Sequence, residues 1–124
     1  MKGQTILVVE DDDETLNVLS RTLAAGGFEV VWARDGSDAL KVLTKHDHVL
    51  SLMIVDVVLP GMSGPELVQE LHRTHPGAGA IYVSAHDADT VRSHGVDPDT
   101  MPFMSKPYEP SDLLRLVNES LPRA

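Results

Sequence analysis

The sequence predicts one α/β domain, residues 1–124, with a doubly wound parallel sheet that carries helices on both faces. Two observations lead to this fold class. Short apolar segments rich in β-branched residues alternate with segments whose apolar residues recur at helical spacing. The strand segments are also continuously apolar, which is typical of strands buried on both faces of a parallel sheet. We therefore expect five strands and five helices.

The first half of the chain predicts two strands and two helices. TILVV at 5–9 is the first strand, and the helix after it ends at the glycine pair 26–27. The apolar side of that helix is formed by Leu16, Leu19 and Leu23. EVVWA at 29–33 predicts the second strand and SDALKVL at 37–43 the second helix. HDH at 46–48 is interpreted as a polar loop, because no third ligand accompanies the histidine pair.

The middle of the chain predicts the third and fourth strands with a helix between them. LSLMIVDVV at 50–58 is the third strand, and Asp56 interrupts it near its carboxyl end. The helix at 65–75 begins with a proline, whose missing N–H costs little in a first turn. AIYVSA at 80–85 is the fourth strand. Because an unpaired acid in a buried strand is costly, Asp56 is a candidate functional residue.

The last third of the chain predicts a weak helix at 88–95, a brief strand at 102–105 and a final helix. Ser111 is placed to cap the final helix. The apolar side of that helix is formed by Leu113, Leu114, Val117 and Leu121.

Composition and charge exclude several classes of function. The formal net charge is −9, from 19 acidic residues against 10 lysines and arginines, which disfavours direct binding to nucleic acid or anionic lipid. The absence of cysteine excludes disulfides and thiolate zinc sites. No apolar run reaches the length of a membrane span, and no signal segment opens the chain. We therefore expect a cytoplasmic protein without membrane contact.

Polar side chains follow four of the predicted strands at their carboxyl ends. Glu10 and Asp11 follow the first strand, and Asp56, Ser84 and Lys106 lie at the ends of the third, fourth and fifth. Ligands of open parallel sheets bind outside these ends, where the strand order reverses. Three carboxylates at one rim require a counter-ion, and hard oxygen ligands suit Mg²⁺. A carboxylate, a metal ion, an ammonium and a hydroxyl are together what phosphoryl transfer demands, with Asp56 as nucleophile.

The acidic run at 10–14 has two interpretations, and each applies to part of it. Glu10 and Asp11 are assigned to the metal. Asp12, Asp13 and Glu14 lie where a cap and first-turn acids stabilise the following helix.

At these residues the chain resembles the receiver domain of two-component response regulators and hybrid sensor kinases. The resemblance rests on the acidic pair after ILVV, the aspartate of IVDVVLPGMSG, the SA of YVSA and the KP of MSKPY, in family order. It implies the flavodoxin-like strand order 2-1-3-4-5. It also implies that Asp56 is the phosphoacceptor and that Glu10, Asp11, Asp56 and the backbone carbonyl of Val58 bind Mg²⁺.

The same resemblance assigns the remaining site residues and the partners. Ser84, Ala85 and Lys106 would contact the phosphoryl group, Ser84 and Phe103 would form the switch, and the Lys106–Pro107 peptide bond would be cis. The phosphoryl donor would be a sensor histidine kinase or a histidine phosphotransfer domain. The chain would not be an enzyme, although it would assist its own phosphorylation and slow dephosphorylation, and it would be a monomer or a phosphorylation-dependent dimer.

Three other functions are alternatives to this one. An aspartyl-phosphate phosphatase would carry a second acid two residues after its nucleophile, where this chain has Val58. A flavodoxin-like or nucleotide-binding module would carry a phosphate loop in place of the acidic run. A pseudo-receiver, which only binds, would lack some of the site residues. The final segment resembles receivers fused behind sensor histidine kinases, and the sequence leaves open a stand-alone receiver or a piece of a hybrid kinase.

Overall fold

The fold was determined from a computed structural model that describes residues 4–45 and 49–121. Its sheet contains five parallel strands in the order β2-β1-β3-β4-β5, which confirms the fold class. The strands are β1 (Thr5–Val9), β2 (Glu29–Ala33), β3 (Leu50–Asp56), β4 (Gly79–Ser84) and β5 (Phe103–Ser105). The helices are α1 (Asp13–Ala25), α2 (Gly36–Thr44), α3 (Gly64–His72), α4 (Ala88–Ser93) and α5 (Pro110–Ser120).

Two apolar cores, one on each face, hold the sheet in place. Leucines of α1 and residues of α5 pack on one face, and apolar residues of α2, α3 and α4 pack on the other. Successive side chains of a strand point to opposite faces, so β1 and β3 contribute to both cores. This double burial explains why both strands are apolar without alternation.

The strand order determines where a ligand can bind. The chain proceeds from β1 to the outer strand β2, then crosses back so that β3 pairs with the other edge of β1. The order therefore reverses between β1 and β3, and their carboxyl ends border an open crevice.

Side-chain caps fix the starts of four helices. The carboxylates of Asp12, Asp35 and Asp87 each accept a hydrogen bond from a backbone N–H in the first turn of α1, α2 and α4. At α3, Ser63 and Glu66 form a reciprocal capping box, with both hydrogen bonds at 3.2 Å. Asp12 as a helix cap confirms the second interpretation of the acidic run.

Several predicted boundaries differ from the structure. The third strand ends at Asp56 itself, because the chain then turns back and Val58 bridges to Ser63. The third helix ends at His72, three residues early, and the ring Nε2 of that histidine is 2.9 Å from the carbonyl oxygen of Ala78. The fourth strand begins and ends one residue early, and the fourth helix ends at Ser93.

The expectation that Ser111 caps the last helix is wrong. The helix begins at Pro110, so Ser111 lies inside it, and Glu109 is the capping residue without a side-chain cap bond. Proline sets the boundary because its fixed φ is already helical and its missing N–H leaves no donor to cap.

The HDH segment, predicted as a polar loop, lies outside the described residues. Within the part of the chain that the structure describes, the helices are too short and too polar to cross a bilayer.

We predict that the two serines differ in their contribution to stability. Ser63→Ala removes the capping box of α3 and is expected to lower the free energy of unfolding by about 1 kcal/mol. Ser111→Ala is the control, because this exposed side chain caps nothing, and it should change that value by less than about 0.5 kcal/mol. Urea unfolding of both variants measures the difference, and equal losses would contradict the assignment of the caps.

Candidate functional site

Three carboxylates meet in the crevice between the ends of β1 and β3. Glu10 follows β1 and Asp56 ends β3, and one carboxylate oxygen each of Glu10, Asp11 and Asp56 lies within 4.8 Å of the others. Glu10 is 1% exposed and Asp56 is 6% exposed, whereas Asp11 is open to solvent. The structure thus brings together the three acids that the sequence predicts, and their oxygen atoms fit a hard divalent cation such as Mg²⁺.

Lys106 supplies a positive charge inside this cluster. Its Nζ donates a hydrogen bond to Oδ2 of Asp56 at 3.1 Å and another to Oε1 of Glu10. Its backbone N–H donates to the carbonyl oxygen of Ser84 at 2.9 Å, which fixes the lysine beside the end of β4. The peptide bond that follows, Lys106–Pro107, is cis. The ammonium therefore joins two buried acids, a contact that the sequence did not predict.

Burial alters the acidity of Glu10. Loss of solvent raises the pKa of its carboxyl group from 4.5 to about 7, although the hydrogen bond from Lys106 acts in the opposite direction. For Lys106 burial lowers the pKa of the ammonium, but the bond to Glu10 and the charge of Asp56 outweigh it, so the pKa is raised. Glu10 thus holds a proton near neutral pH more readily than an ordinary glutamate does. A divalent cation would favour its ionised form.

Both oxygens of Asp56 are held by the protein. Oδ1 accepts a hydrogen bond from the backbone N–H of Val58 at 3.0 Å, and Oδ2 accepts from Lys106. The N–H of Val57 donates to the carbonyl of Val83 at 3.0 Å, so the chain remains tied to β4 just beyond the aspartate. These contacts fix the carboxylate in one orientation at the mouth of the crevice.

The hydroxyl that the sequence places near the site lies on the adjacent strand. Ser84 is fully buried at the end of β4, one register position beyond Val83, which pairs with Asp56. Its Oγ accepts a hydrogen bond from the backbone N–H of His86 at 3.0 Å. Ala85 is exposed and borders a groove of about 370 Å³ that is also lined by Lys106 and Tyr108. This groove gives access from solvent to the lysine end of the cluster.

Phe103 lies on β5, away from the carboxylates. It is half-buried and packs against the core beneath α2, α3 and α4. It is paired with Tyr82 in the register of β4 and β5, two positions before the pair formed by Ser84 and Ser105. Phe103 therefore belongs to the same edge of the sheet as Ser84 without being part of the acidic cluster.

Two features of the site were not predicted from the sequence. The first is that Lys106 binds Glu10 as well as Asp56, which no local pattern indicates because 96 residues separate the pair. The second is Tyr108, half-buried beside the cluster, where burial first and then the charges of Glu10 and Asp56 raise the pKa of its phenol. The position of Tyr108 two residues after Lys106 is the sequence feature that indicates its closeness to the cluster.

Comparison with known proteins places these residues in a family context. Residues 6–118 match the response regulator receiver domain family. The chain is 33% identical over 117 residues to the transcriptional regulatory protein CssR of Bacillus subtilis, covering 94% of this chain and 51% of CssR. It is 32% identical over 117 residues to the sensor kinase CckA of Brucella abortus, covering 94% of this chain and 12% of CckA. The chain thus spans about half the length of the first of these relatives and much less of the second.

A solved structure gives the same result for the fold. The chemotaxis protein CheY4 of Vibrio cholerae superposes with a TM-score of 0.82 at 25% identity, covering 96% of this chain and 99% of CheY4.

The raised pKa of Glu10 predicts a pH dependence of stability without divalent cations. Between its ordinary pKa of 4.5 and its folded value of about 7, the folded state holds a proton that the unfolded state has lost. The free energy of unfolding should therefore fall as the pH rises from about 5 to about 7. Glu10→Gln has no group to titrate there and should show a smaller decrease.

Urea unfolding of both proteins in EDTA measures this difference. Comparing the two proteins also cancels any pH effect that they share. Equal slopes in the two proteins would contradict the assignment.

Proposed function

Because the chain belongs to the response regulator receiver domain family, we propose that it accepts a phosphoryl group on Asp56 in a two-component phosphorelay. The observation that carries this proposal is the cluster itself. Three carboxylates and an ammonium meet at the reversal of strand order, and both oxygens of Asp56 are already oriented. Such prearranged charge is the main requirement for phosphoryl transfer.

The proposed reaction is a displacement at phosphorus. A carboxylate oxygen of Asp56 attacks a phosphohistidine, the P–N bond breaks, and the imidazole leaves with the bonding electron pair as an acyl phosphate forms. Lys106 exchanges its carboxylate partner for a phosphoryl oxygen. The Ser84 hydroxyl and the backbone at Ala85 contact the other phosphoryl oxygens.

A metal requirement fits the donor atoms of the crevice. Bound Mg²⁺ would be held by Glu10, Asp11, Asp56 and the Val58 carbonyl oxygen, and would supply positive charge for the phosphoryl oxygens. Glu10 and Asp11 follow β1, whereas Asp56 ends β3. The proposed site would therefore form only when both strands are in place.

Turnover chemistry is not favoured. The position two residues after Asp56 is Val58, which has no proton to give to a leaving group. Val58 also cannot take a proton from an attacking water molecule, so loss of the phosphoryl group by hydrolysis should be slow. We propose that the domain acts as a phosphoacceptor and not as a phosphatase. The presence of all the site residues also disfavours a pseudo-receiver.

The proposed partner is a sensor histidine kinase or a histidine phosphotransfer domain in the cytoplasm. The net charge of −9 disfavours direct contact of this domain with nucleic acid. A phosphoryl group on a hydroxyl carries about −1.5 to −2 charges, and a similar dianionic group is expected on Asp56. We propose that Ser84 and Phe103 respond by moving toward it, repacking the face of α4, β5 and α5, and that this face is used by a monomer or by a phosphorylation-dependent dimer.

We predict one Mg²⁺-dependent phosphoryl adduct on the chain after incubation with acetyl phosphate. Intact mass spectrometry with Mg²⁺ or with EDTA measures it. Asp56→Asn should take up none, because an amide cannot form the acyl phosphate, whereas Asp13→Asn is a control on an exposed acid of α1 and should react normally. Absence of the adduct in the unaltered chain, or its persistence in Asp56→Asn, would overturn the assignment.

We also predict that phosphorylation moves the amide resonances of α4, β5 and α5. The physical reason is the new charge beside Ser84, whose carbonyl is bonded to Lys106. Two-dimensional NMR with and without acetyl phosphate measures the change, with amides of α2 as the internal reference. If the amide spectra of that face are identical before and after phosphorylation, the proposed switch is refuted.

A further inference from the structure

The first residue of α3 lies directly against the backbone of Asp56. We propose that Gly64 is a positioning residue for the phosphoacceptor, because its lack of a side chain lets the start of α3 orient the peptide that holds the Asp56 carboxylate. This inference rests on the proposed function, since it concerns the same site. It assigns a role in the reaction to a residue that cannot touch the phosphoryl group through a side chain.

Steric contact at Gly64 leaves no room for a side chain. An ideal Cβ at this buried position would overlap the carbonyl oxygen of Asp56 and would lie 3.2 Å from both its carbonyl carbon and Cγ1 of Val55. The φ angle of Gly64 lies outside the left-handed region, so an L-residue could adopt its backbone conformation. The requirement for glycine is therefore one of close approach to the phosphoacceptor.

The hydrogen bonds around Gly64 link this contact to the carboxylate. The N–H of Gly64 donates to the carbonyl oxygen of Val57 at 2.8 Å. That carbonyl belongs to the same peptide group as the N–H of Val58, which donates to Oδ1 of Asp56 at 3.0 Å. Because a peptide group is planar and rigid, the bond from Gly64 fixes one side of the plane and the carboxylate is bound by the other.

Further contacts hold the loop between β3 and α3, residues 57–63, in place. Val58 bridges to Ser63, and Ser63 and Glu66 close the capping box that begins α3. The loop is thus held at its start by Asp56 and at its end by the helix. A Cβ at Gly64 would displace either the Asp56 carbonyl or the helix start, and both movements would rotate the peptide group between Val57 and Val58. The carbonyl of Val58, the proposed backbone ligand for Mg²⁺, would move with it.

The chain offers a matched control for a purely structural effect. Gly79 begins β4 at the opposite end of the sheet, and an ideal Cβ there would lie 2.7 Å from the carbonyl oxygen of Ser120. Gly64→Ala and Gly79→Ala therefore both force a methyl group against a backbone carbonyl. Only the first does so at the phosphoacceptor.

The experiment compares the two alanine variants in full-length chains. In Gly64→Ala the Val58 amide resonance should shift without any ligand, the dissociation constant for Mg²⁺ should rise about tenfold, and phosphorylation by acetyl phosphate should slow about 10- to 100-fold at saturating Mg²⁺. In Gly79→Ala the Val58 resonance should keep its position. The dissociation constant for Mg²⁺ and the phosphorylation rate should change by less than about twofold. Equal effects in the two variants would overturn the proposal, since loss of stability alone would then account for them.

A second measurement keeps the test decisive if Gly64→Ala does not fold. In the unaltered chain, Mg²⁺ should slow hydrogen exchange at the amides of Val58 and Gly64 together, with the Gly79 amide as reference. If Mg²⁺ binds and exchange at Gly64 does not change, the positioning role is wrong.

Failure of the proposed function has a different signature. The unaltered chain would then take up neither Mg²⁺ nor phosphoryl. In that case the ligand-free spectra decide the positioning role. A Val58 amide shift that is larger in Gly64→Ala than in Gly79→Ala supports the role, and equal shifts contradict it.

Discussion

The crowding of three acidic side chains at the ends of β1 and β3 is the constraint on which the rest of the structure depends. Glu10 and Asp56 are buried at the ends of strands that two cores hold in place, so the acids cannot move apart. Lys106 reaches both acids from the far end of the chain, and its backbone is fixed to β4. One ammonium does not balance three acids once Glu10 is ionised. The crevice therefore attracts further positive charge, and the proposed metal requirement follows from this imbalance.

The same excess of negative charge suggests how the fold would respond to a phosphoryl group on Asp56. Lys106 has two partners in the unmodified protein, and a phosphoryl oxygen would compete with both. Any movement of the lysine acts on Ser84, to which its backbone is bonded, and then on the edge of the sheet where Phe103 packs. The carboxylate of Asp56, the proposed acceptor, is held through the start of α3 and the peptide between Val57 and Val58. A fixed acceptor and an ammonium that can exchange partners are what the proposed switch requires.

Much of the fold and of the site could be predicted from the sequence, for physical reasons. Continuous apolar runs reveal strands buried on both faces, and the rule for parallel sheets brings Glu10 and Asp56 to one edge. Patterns of this kind are local. The bond between Lys106 and Glu10 joins residues that are distant in the chain, and the overlap that only glycine avoids at position 64 depends on packing. The prediction that Ser111 caps the last helix was wrong because the helix already begins at Pro110, one residue earlier.

The burial of β1 and β3 also has a consequence for how such a domain can diversify. The strands that lead to the acids contribute to both cores, so a substitution there changes stability and chemistry at once. The outer strand β2 is different, since Glu29 and Trp32 face solvent. Variation at these outer positions leaves the crevice untouched. The architecture thereby separates a buried chemical centre from a periphery that can change without disturbing it.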